Sequence, residues 1–335
     1  MTDHFLGVTF AIVTAMSWAA GVLFFQKSSE AMSPFALNFF KNSIALILFM
    51  LTFALFAEPL WQTGWGEDAA WLLLSGAIGI GVGDVLFFRS LHLLGASRSA
   101  VVETLYTPSV VLTAFVLLDE TITVVAAIGG ALILAGILIV VTARPAGQAN
   151  ATLPRADLID GVLTGAVSVV SMSVSIVAVK PIIEAHSVVW GTSVRLLGGL
   201  LAMVVALPFA AELRRETWGA LKPHRGWRFA LPGAFFGTYI ALFSWIGGYK
   251  YTTATVASLL NQTSTLFIVA GAALFLGEKL TPRRIGAVAL AMVGSVLVLF
   301  ASPQAEESGH AVIESNSVLA GFDSHATEGE IRRAQ

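Results

Sequence analysis

Four ionisable side chains, Lys41, Asp84, Glu103 and Arg195, lie inside long apolar stretches of the sequence. An ionisable group in a membrane span is costly, so it usually faces the interior of a helix bundle or a water-filled cavity. Two cations in such a place suit an anionic or carboxylate-bearing solute, and a carboxyl group can bind a proton or an amine. Pairing with an opposite charge inside the bundle would explain each of them equally well.

Uncharged polar side chains occur in the same kind of stretch. Ser17 and Trp18 lie in the first, Ser171 lies in the sixth, and Asn261 and Gln262 lie in the ninth. A polar group in lipid needs a hydrogen-bond partner, so a polar run in a span is typical of a cavity wall. Hydrogen bonding between helices gives the same pattern. We predict that these five residues and the four charged ones form a substrate-binding site.

The sequence contains no motif for catalysis or metal binding. It has no cysteine, which excludes a zinc–thiolate site and a cysteine nucleophile. Its six histidines lack metal-ligand spacing, and nothing in it resembles a Walker loop or a nucleophile elbow. The glycines that precede Asp84 are typical of close helix packing. We therefore expect no catalytic residue, no metal and no cofactor, and a protein that is not an enzyme.

The composition predicts an all-α polytopic membrane protein. The chain has 335 residues, of which 56% are hydrophobic and 12% charged, whereas a soluble domain is about a quarter charged. No basic cluster indicates a nucleic-acid partner. Ten apolar spans are predicted, at about residues 5–25, 34–57, 69–93, 96–118, 122–143, 158–183, 187–210, 228–249, 252–276 and 282–301.

The charge and polarity of the segments between and after these spans predict their location and order. Lysines and arginines are concentrated in every second loop, beginning with the loop after the first span, which predicts that those loops are cytoplasmic and both termini outside. Residues 211–227 are predicted to be one of the longer loops. Residues 302–335 are polar and aperiodic, which predicts a disordered C-terminal tail.

The chain repeats itself. A shift of 158 aligns residues 89–141 with 247–299, and a shift of 154 places Ser17 on Ser171 and Lys41 on Arg195. The predicted units are a five-helix half at residues 1–146, a linker at 147–156 and a second five-helix half at 157–301. Because each half has an odd number of spans, the second enters the membrane inverted, as in many secondary transporters.

Two segments carry a resemblance to a known family. Residues 81–120, GVGDVLFFRSLHLLGASRSAVVETLYTPSVVLTAFVLLDE, and residues 257–299, ASLLNQTSTLFIVAGAALFLGEKLTPRRIGAVALAMVGSVLVL, resemble the paired signatures of the drug/metabolite transporter superfamily, in particular its EamA-type permeases. The resemblance implies ten transmembrane helices in two inverted five-helix repeats around a central cavity. It also implies cytoplasmic termini, which is the opposite of what the charge count predicts.

Together these observations predict a secondary active transporter that moves a small organic solute by alternating access. The specific expectation is export of an amino acid or related metabolite across the cytoplasmic (inner) membrane, with protons as a coupling ion, by a monomer or homodimer. Multidrug or cationic-compound efflux, a lipid-headgroup flippase and a non-transporting membrane subunit are the alternatives.

Overall fold

The protein is described from a computed structural model, which covers residues 2–56, 65–118, 124–142, 154–251, 260–278 and 281–300. These residues form helices and turns, and no strand occurs among them. The proposed tail at 302–335 and most of the linker at 147–156 lie outside the described residues.

Six helical stretches in the described part are long and apolar enough to cross a membrane: Phe5–Ser28, Pro34–Leu55, Gly66–Leu94, Arg155–Val177, Val188–Phe209 and Trp227–Tyr251. Shorter apolar helices occupy Ala127–Ile139 and Leu260–Phe275. The prediction of an all-helical polytopic membrane protein is therefore confirmed, and the count of ten spans stays a prediction.

The helices are numbered in chain order. They are α1 (Thr2–Ser28), α2 (Pro34–Phe56), α3 (Trp65–Gly76), α4 (Asp84–Leu94), α5 (Ala96–Glu103), α6 (Tyr106–Leu118), α7 (Val124–Thr142), α8 (Arg155–Val177), α9 (Lys180–Ala185), α10 (Val188–Ala206), α11 (Ala211–Leu221), α12 (Trp227–Gly233), α13 (Ala241–Tyr251), α14 (Ser264–Phe275) and α15 (Pro282–Phe300). Two π-helical segments, π1 (Ala77–Gly83) and π2 (Ala234–Ile240), join α3 to α4 and α12 to α13.

One of the predicted longer loops contains a helix. Residues 211–227 connect two spans as predicted, and α11 occupies their first part and packs against α2. Its sequence is polar, with Thr217 and Ala220 buried and Trp218 exposed. A short amphipathic helix of this kind has too few apolar residues to be recognised as a span, which is why the hydropathy pattern assigned it to a loop.

The π-helical segments interrupt two long helices at matching places, since a shift of 157 places π1 on π2. A π turn inserts a residue into the helix and is often found at functional sites. π1 packs against α8 and α10, whereas π2 packs against α1 and α2. Each interrupted helix therefore contacts the first two long helices of the opposite half of the chain.

Glycines allow this close packing. A Cβ at Gly76 would lie 1.7 Å from the carbonyl oxygen of Arg195 on α10, and a Cβ at Gly237 would lie 2.7 Å from the Cα of Gly21 on α1. The helices therefore approach each other backbone to backbone at these two places. Any larger residue would force them apart.

The helix that carries Glu103 is broken. α5 ends at Glu103, and α6 begins at Tyr106 after a turn in which the Thr104 hydroxyl donates to the Val101 carbonyl oxygen at 2.6 Å. Pro108 has no N–H to donate to the carbonyl of Thr104, which removes one helical hydrogen bond there. The shift of 158 places the turn at residues 104–105 on residues 262–263. The second copy also leaves the α-helical pattern there, at Thr263.

We predict that Gly76→Ala destabilises the protein by about 1–3 kcal/mol or more, because the added methyl group overpacks the contact between α3 and α10. Thermal unfolding in detergent measures the effect. Gly130→Ala is the matched control, since a Cβ there has nothing within 4 Å and alanine favours a helix. Equal melting temperatures for the two variants would contradict the prediction.

Candidate functional site

A central cavity of about 180 Å³ lies where the two halves of the chain meet. Seven of the nine predicted site residues line it: Trp18, Lys41, Asp84, Glu103, Arg195, Asn261 and Gln262. The remaining lining is mostly apolar or glycine, including Gly79 in π1 and Gly237 in π2. The four charged residues come from four different helices, α2, α4, α5 and α10, so only the tertiary fold brings them together.

Ser17 and Ser171 are not part of this lining. Ser17 is buried, and the hydroxyl of Ser171 donates to the Val167 carbonyl oxygen of its own helix at 2.8 Å. Their neighbours Trp18 and Met172 face the cavity instead. The two serines are equivalent in the repeat, so both halves turn the same helix face toward the centre.

Lys41 is held in a buried polar network. Its ammonium donates to the Asp84 carboxylate at 2.6 Å and to the Asn42 side-chain oxygen at 2.8 Å. The Asn42 amide donates to Asn38 at 2.9 Å, and the Asn38 amide donates to the carbonyl oxygen of Ile80 in π1 at 2.8 Å. A continuous chain of hydrogen bonds therefore runs from the buried ion pair to the π-helical backbone.

Arg195 has a different environment, although it occupies the equivalent position. Its Nε donates to the Ser75 hydroxyl at 3.0 Å and its Nη2 to the Ser175 hydroxyl at 3.3 Å. The guanidinium carbon lies 5.7 Å from the centre of a Trp245 ring. Among the carboxylates in the described part of the chain, none lies within ion-pair distance of Arg195. Its contacts are therefore neutral.

Glu103 and Asn261 are equivalent under the shift of 158, and both line the cavity. Trp18 lines the cavity together with Glu103. The side-chain oxygen of Asn261 is buried and has no hydrogen-bond partner among the residues that the structure describes. The two side chains thus lie at the cavity wall at the place where both helices are interrupted.

A hydrogen bond joins these interrupted helices. The Gln262 side-chain amide donates to the Thr107 hydroxyl at 2.6 Å, and both residues are buried. Gln262 therefore joins two helices as well as lining the cavity.

Polar contacts also join the halves at both ends of the long helix made of α3, π1 and α4. Near its start, Asp68 pairs with His186 at 2.8 Å, and Lys250 donates to the His186 carbonyl oxygen at 2.6 Å. Just beyond its end, the Ala96 backbone N–H donates to the Glu278 carboxylate at 3.1 Å. One such contact therefore lies on each side of the cavity.

Some lining residues were not identified from the sequence. Thr238 lines the cavity, and its buried hydroxyl has no hydrogen-bond partner among the described residues. It lies in π2 and is equivalent to Ile80 under the shift of 158. An isolated threonine between aromatic residues gives no periodic signal, so only the comparison of the two halves could have indicated it.

Comparisons with known proteins agree with this arrangement. The family model described as the EamA-like transporter family matches residues 5–142 and again residues 159–300. A riboflavin transporter from Rhizobium johnstonii is 32% identical over 98 residues, 29% of this chain and 31% of that protein. An uncharacterized transporter from Archaeoglobus fulgidus is 27% identical over 136 residues, 40% of this chain and 47% of that protein. The aligned part of the chain thus spans less than half the length of each of these curated relatives.

A solved structure, titled only as the crystal structure of a protein, is similar with a TM-score of 0.64 over 90% of this chain and 99% of that chain. At 16% identity this likeness shows the fold alone. The family model, in contrast, matches most of the sequence in two successive copies. The chain therefore belongs to the EamA-like transporter family.

Proposed function

We propose that the protein is a secondary active transporter that carries a small organic solute through its central cavity by alternating access. The observation that supports this most directly is the lining of the cavity by equivalent positions of the two halves. Ionisable groups from both halves meet there, and bilayer-facing helices surround them. A transport site near the middle of the membrane has this character.

The proposed architecture consists of inverted five-helix halves at residues 1–146 and 157–301, connected by the linker at 147–156. The family model matches each half separately, and the interrupted helix of each half packs against the first two long helices of the other. In alternating access, the contact between Asp68 and His186 opens while that between Ala96 and Glu278 stays closed, and then the reverse.

We place the protein in the cytoplasmic (inner) membrane as a monomer or homodimer, with both termini outside. The placement of the termini rests on the positive charge of every second loop. Labelling of a tag at each terminus in intact cells tests it, since a reagent that cannot cross the membrane would reach outside termini only.

The solute that we propose is an amino acid or a related metabolite, which the protein exports. The cavity of about 180 Å³ is smaller than the roughly 300–1,000 Å³ of sites for drug-sized ligands. It combines two cations with two carboxyl groups, which suits a small solute carrying both charges. A purely cationic drug would meet Lys41 and Arg195 with no compensating excess of carboxylates.

A second candidate is a flavin-like planar solute. One relative is named as a riboflavin transporter, and the rings of Trp18, Tyr106 and Trp245 line the cavity, where they offer surfaces for stacking. The small volume of the cavity favours the amino acid over this candidate.

Transport by the purified protein in proteoliposomes tests the proposal. We expect saturable flux of one or more amino acids from a panel that also contains sugar phosphates, riboflavin and cationic dyes. Riboflavin flux alone would favour the second candidate, and dye flux alone would favour cationic efflux. Scrambling of labelled lipids without solute flux would indicate a flippase. No movement of either would leave a non-transporting subunit.

We also propose that Glu103 carries the coupling proton. Glu103→Gln keeps the size of the side chain and one hydrogen-bonding oxygen, but the amide does not take up or release a proton. The variant should lose the stimulation of flux by a pH gradient, while exchange of solute for solute continues.

Asp160→Asn is the control for Glu103→Gln, because Asp160 pairs with Arg89 at 2.6 Å on a partly exposed surface outside the cavity lining. The control should keep its response to the gradient. A Glu103→Gln variant that responds as the wild type does would exclude Glu103 as the proton carrier.

The Lys41–Asp84 pair is proposed to stabilise the bundle as well as to line the site. Lys41→Met should destabilise the protein by about 3–5 kcal/mol, because it leaves the Asp84 carboxylate buried without its partner. The double variant Lys41→Met/Asp84→Leu should recover most of this stability, since it removes both charges. Thermal unfolding of the two variants in detergent measures the difference, and a double variant less stable than Lys41→Met would contradict the prediction.

A further inference from the structure

We infer that Arg195, and not Lys41, binds the anionic group of the solute, and that Arg195 is available for it because the apolar residues Ala241 and Leu242 stand where the first half has Asp84. The inference rests on the proposed transport function and deepens it by naming the charge that the solute must carry. Its basis is a difference in charge between equivalent positions of the two halves.

In the first half the cation is already neutralised. The Lys41 ammonium is bonded to the Asp84 carboxylate at 2.6 Å and to Asn42 at 2.8 Å. Both members of the ion pair are buried. A solute carboxylate at Lys41 would have to displace Asp84, which would leave that carboxylate buried and unpaired.

In the second half the corresponding carboxylate is missing. The shift of 157 that places π1 on π2 puts Asp84 on Ala241, and the shift of 158 that aligns residues 89–141 with 247–299 puts it on Leu242. Neither residue is a carboxylate. Leu242 and the preceding Ala241 both line the cavity. Asp84 interacts with Arg195 electrostatically, but it lies beyond ion-pair distance and its carboxylate is bonded to Lys41.

Arg195 is therefore a buried cation with neutral neighbours, and it is only 4% exposed. A buried charge without a partner costs several kcal/mol, so a protein rarely retains one without a function. Of the five guanidinium N–H donors, one on Nε is bonded to Ser75 and one on Nη2 to Ser175. The others can bind an oxyanion, and guanidinium recognises carboxylate and phosphate groups in a forked geometry.

The hydrogen bonds that Arg195 does make fix its orientation. The Ser75 hydroxyl donates onward to the backbone oxygen of Ser175 at 2.7 Å, so its lone pairs face the arginine. Trp245 covers the guanidinium plane at 5.7 Å, within the range of a cation–π contact. The guanidinium is thus held in place before the solute arrives, which reduces the entropy lost on binding.

Two other polar side chains of the lining, Asn261 and Glu103, carry hydrogen-bond acceptors. Asn261 offers a buried side-chain oxygen without a partner among the described residues, and Glu103 offers a carboxyl group. A solute with an oxyanion at Arg195 can therefore place an amine or hydroxyl toward these oxygens. The expected solute is a small amphoteric molecule, and either a carboxylate or a phosphate ester supplies its anion.

Leu242→Asp tests the inference, because it adds a carboxylate to the cavity that Arg195 lines, at a position that corresponds to Asp84 in the first half. Binding is measured as thermal stabilisation of the purified full-length protein in detergent. The probes are amino acids with their carboxamides, and sugar phosphates with the free sugars. We expect the wild type to respond to the anionic member of a pair and not to its neutral counterpart. The two pairs distinguish a carboxylate from a phosphate.

In Leu242→Asp the half-saturating concentration of that solute should rise about ten- to a hundredfold, the range expected for loss of a charged hydrogen bond. The melting temperature without solute should stay equal or rise, which separates this result from misfolding. Leu242→Asn, of the same size but uncharged, is the control and should shift binding far less. Flux in proteoliposomes should follow the same order.

Three results would overturn the inference. They are unchanged binding of the anionic solute by Leu242→Asp, an equal loss in Leu242→Asn, and a wild type that no anionic probe stabilises. If any of these results occurs together with saturable flux of a neutral or cationic solute, the proposed transport function is retained and only the proposed role of Arg195 is excluded. Absence of all solute flux would instead contradict the proposed function.

Discussion

The structure depends on the free-energy cost of burying charged side chains in a membrane protein. Lys41 and Asp84 offset this cost by pairing at 2.6 Å. Hydrogen bonds through Asn42 and Asn38 connect the pair to the carbonyl oxygen of Ile80. A π turn changes the backbone hydrogen-bonding pattern of a helix, and here a side chain from α2 bonds to one of its carbonyl groups. The buried ion pair and the irregular backbone beside it therefore support each other, and together they shape one wall of the cavity.

The contacts between the halves differ in kind from the middle of the molecule to its ends. In the middle, Gly76 and Gly237 bring helices into backbone contact, and such contacts have little freedom to separate. Toward the ends, polar contacts join the halves, at Asp68 with His186 on one side and at Ala96 with Glu278 and Arg89 with Asp160 on the other. Water can replace a polar contact of this kind at modest cost. The glycine contacts are thus suited to act as a pivot, and the end contacts to open in turn.

Much of the site could be predicted from residue type alone, because a charged side chain in an apolar span is costly in lipid and therefore usually faces the bundle interior or a cavity. Lys41, Asp84, Glu103 and Arg195 all reach the cavity for that reason. Helix phase was harder to predict. Thr14 and Ser17 share a face at a spacing of three residues, yet Thr14 lines the cavity and Ser17 does not. Uncharged serines fit lipid-facing, packed and cavity-facing positions alike, so their presence does not identify the face.

The side chain with which each buried cation pairs could not be predicted from any sequence pattern. The repeat makes Lys41 and Arg195 equivalent, and equivalence alone predicts the same role for both. Their roles diverge through residues far away in sequence, because Asp84 pairs with Lys41, whereas the corresponding positions of the second half, Ala241 and Leu242, are apolar. Two similar halves give a transporter two similar conformations, but identical charges in both would give the solute no preferred orientation. The absence of this carboxylate from the second half makes the two halves of the cavity electrically different, and on the proposed function it sets which end of the solute each half binds.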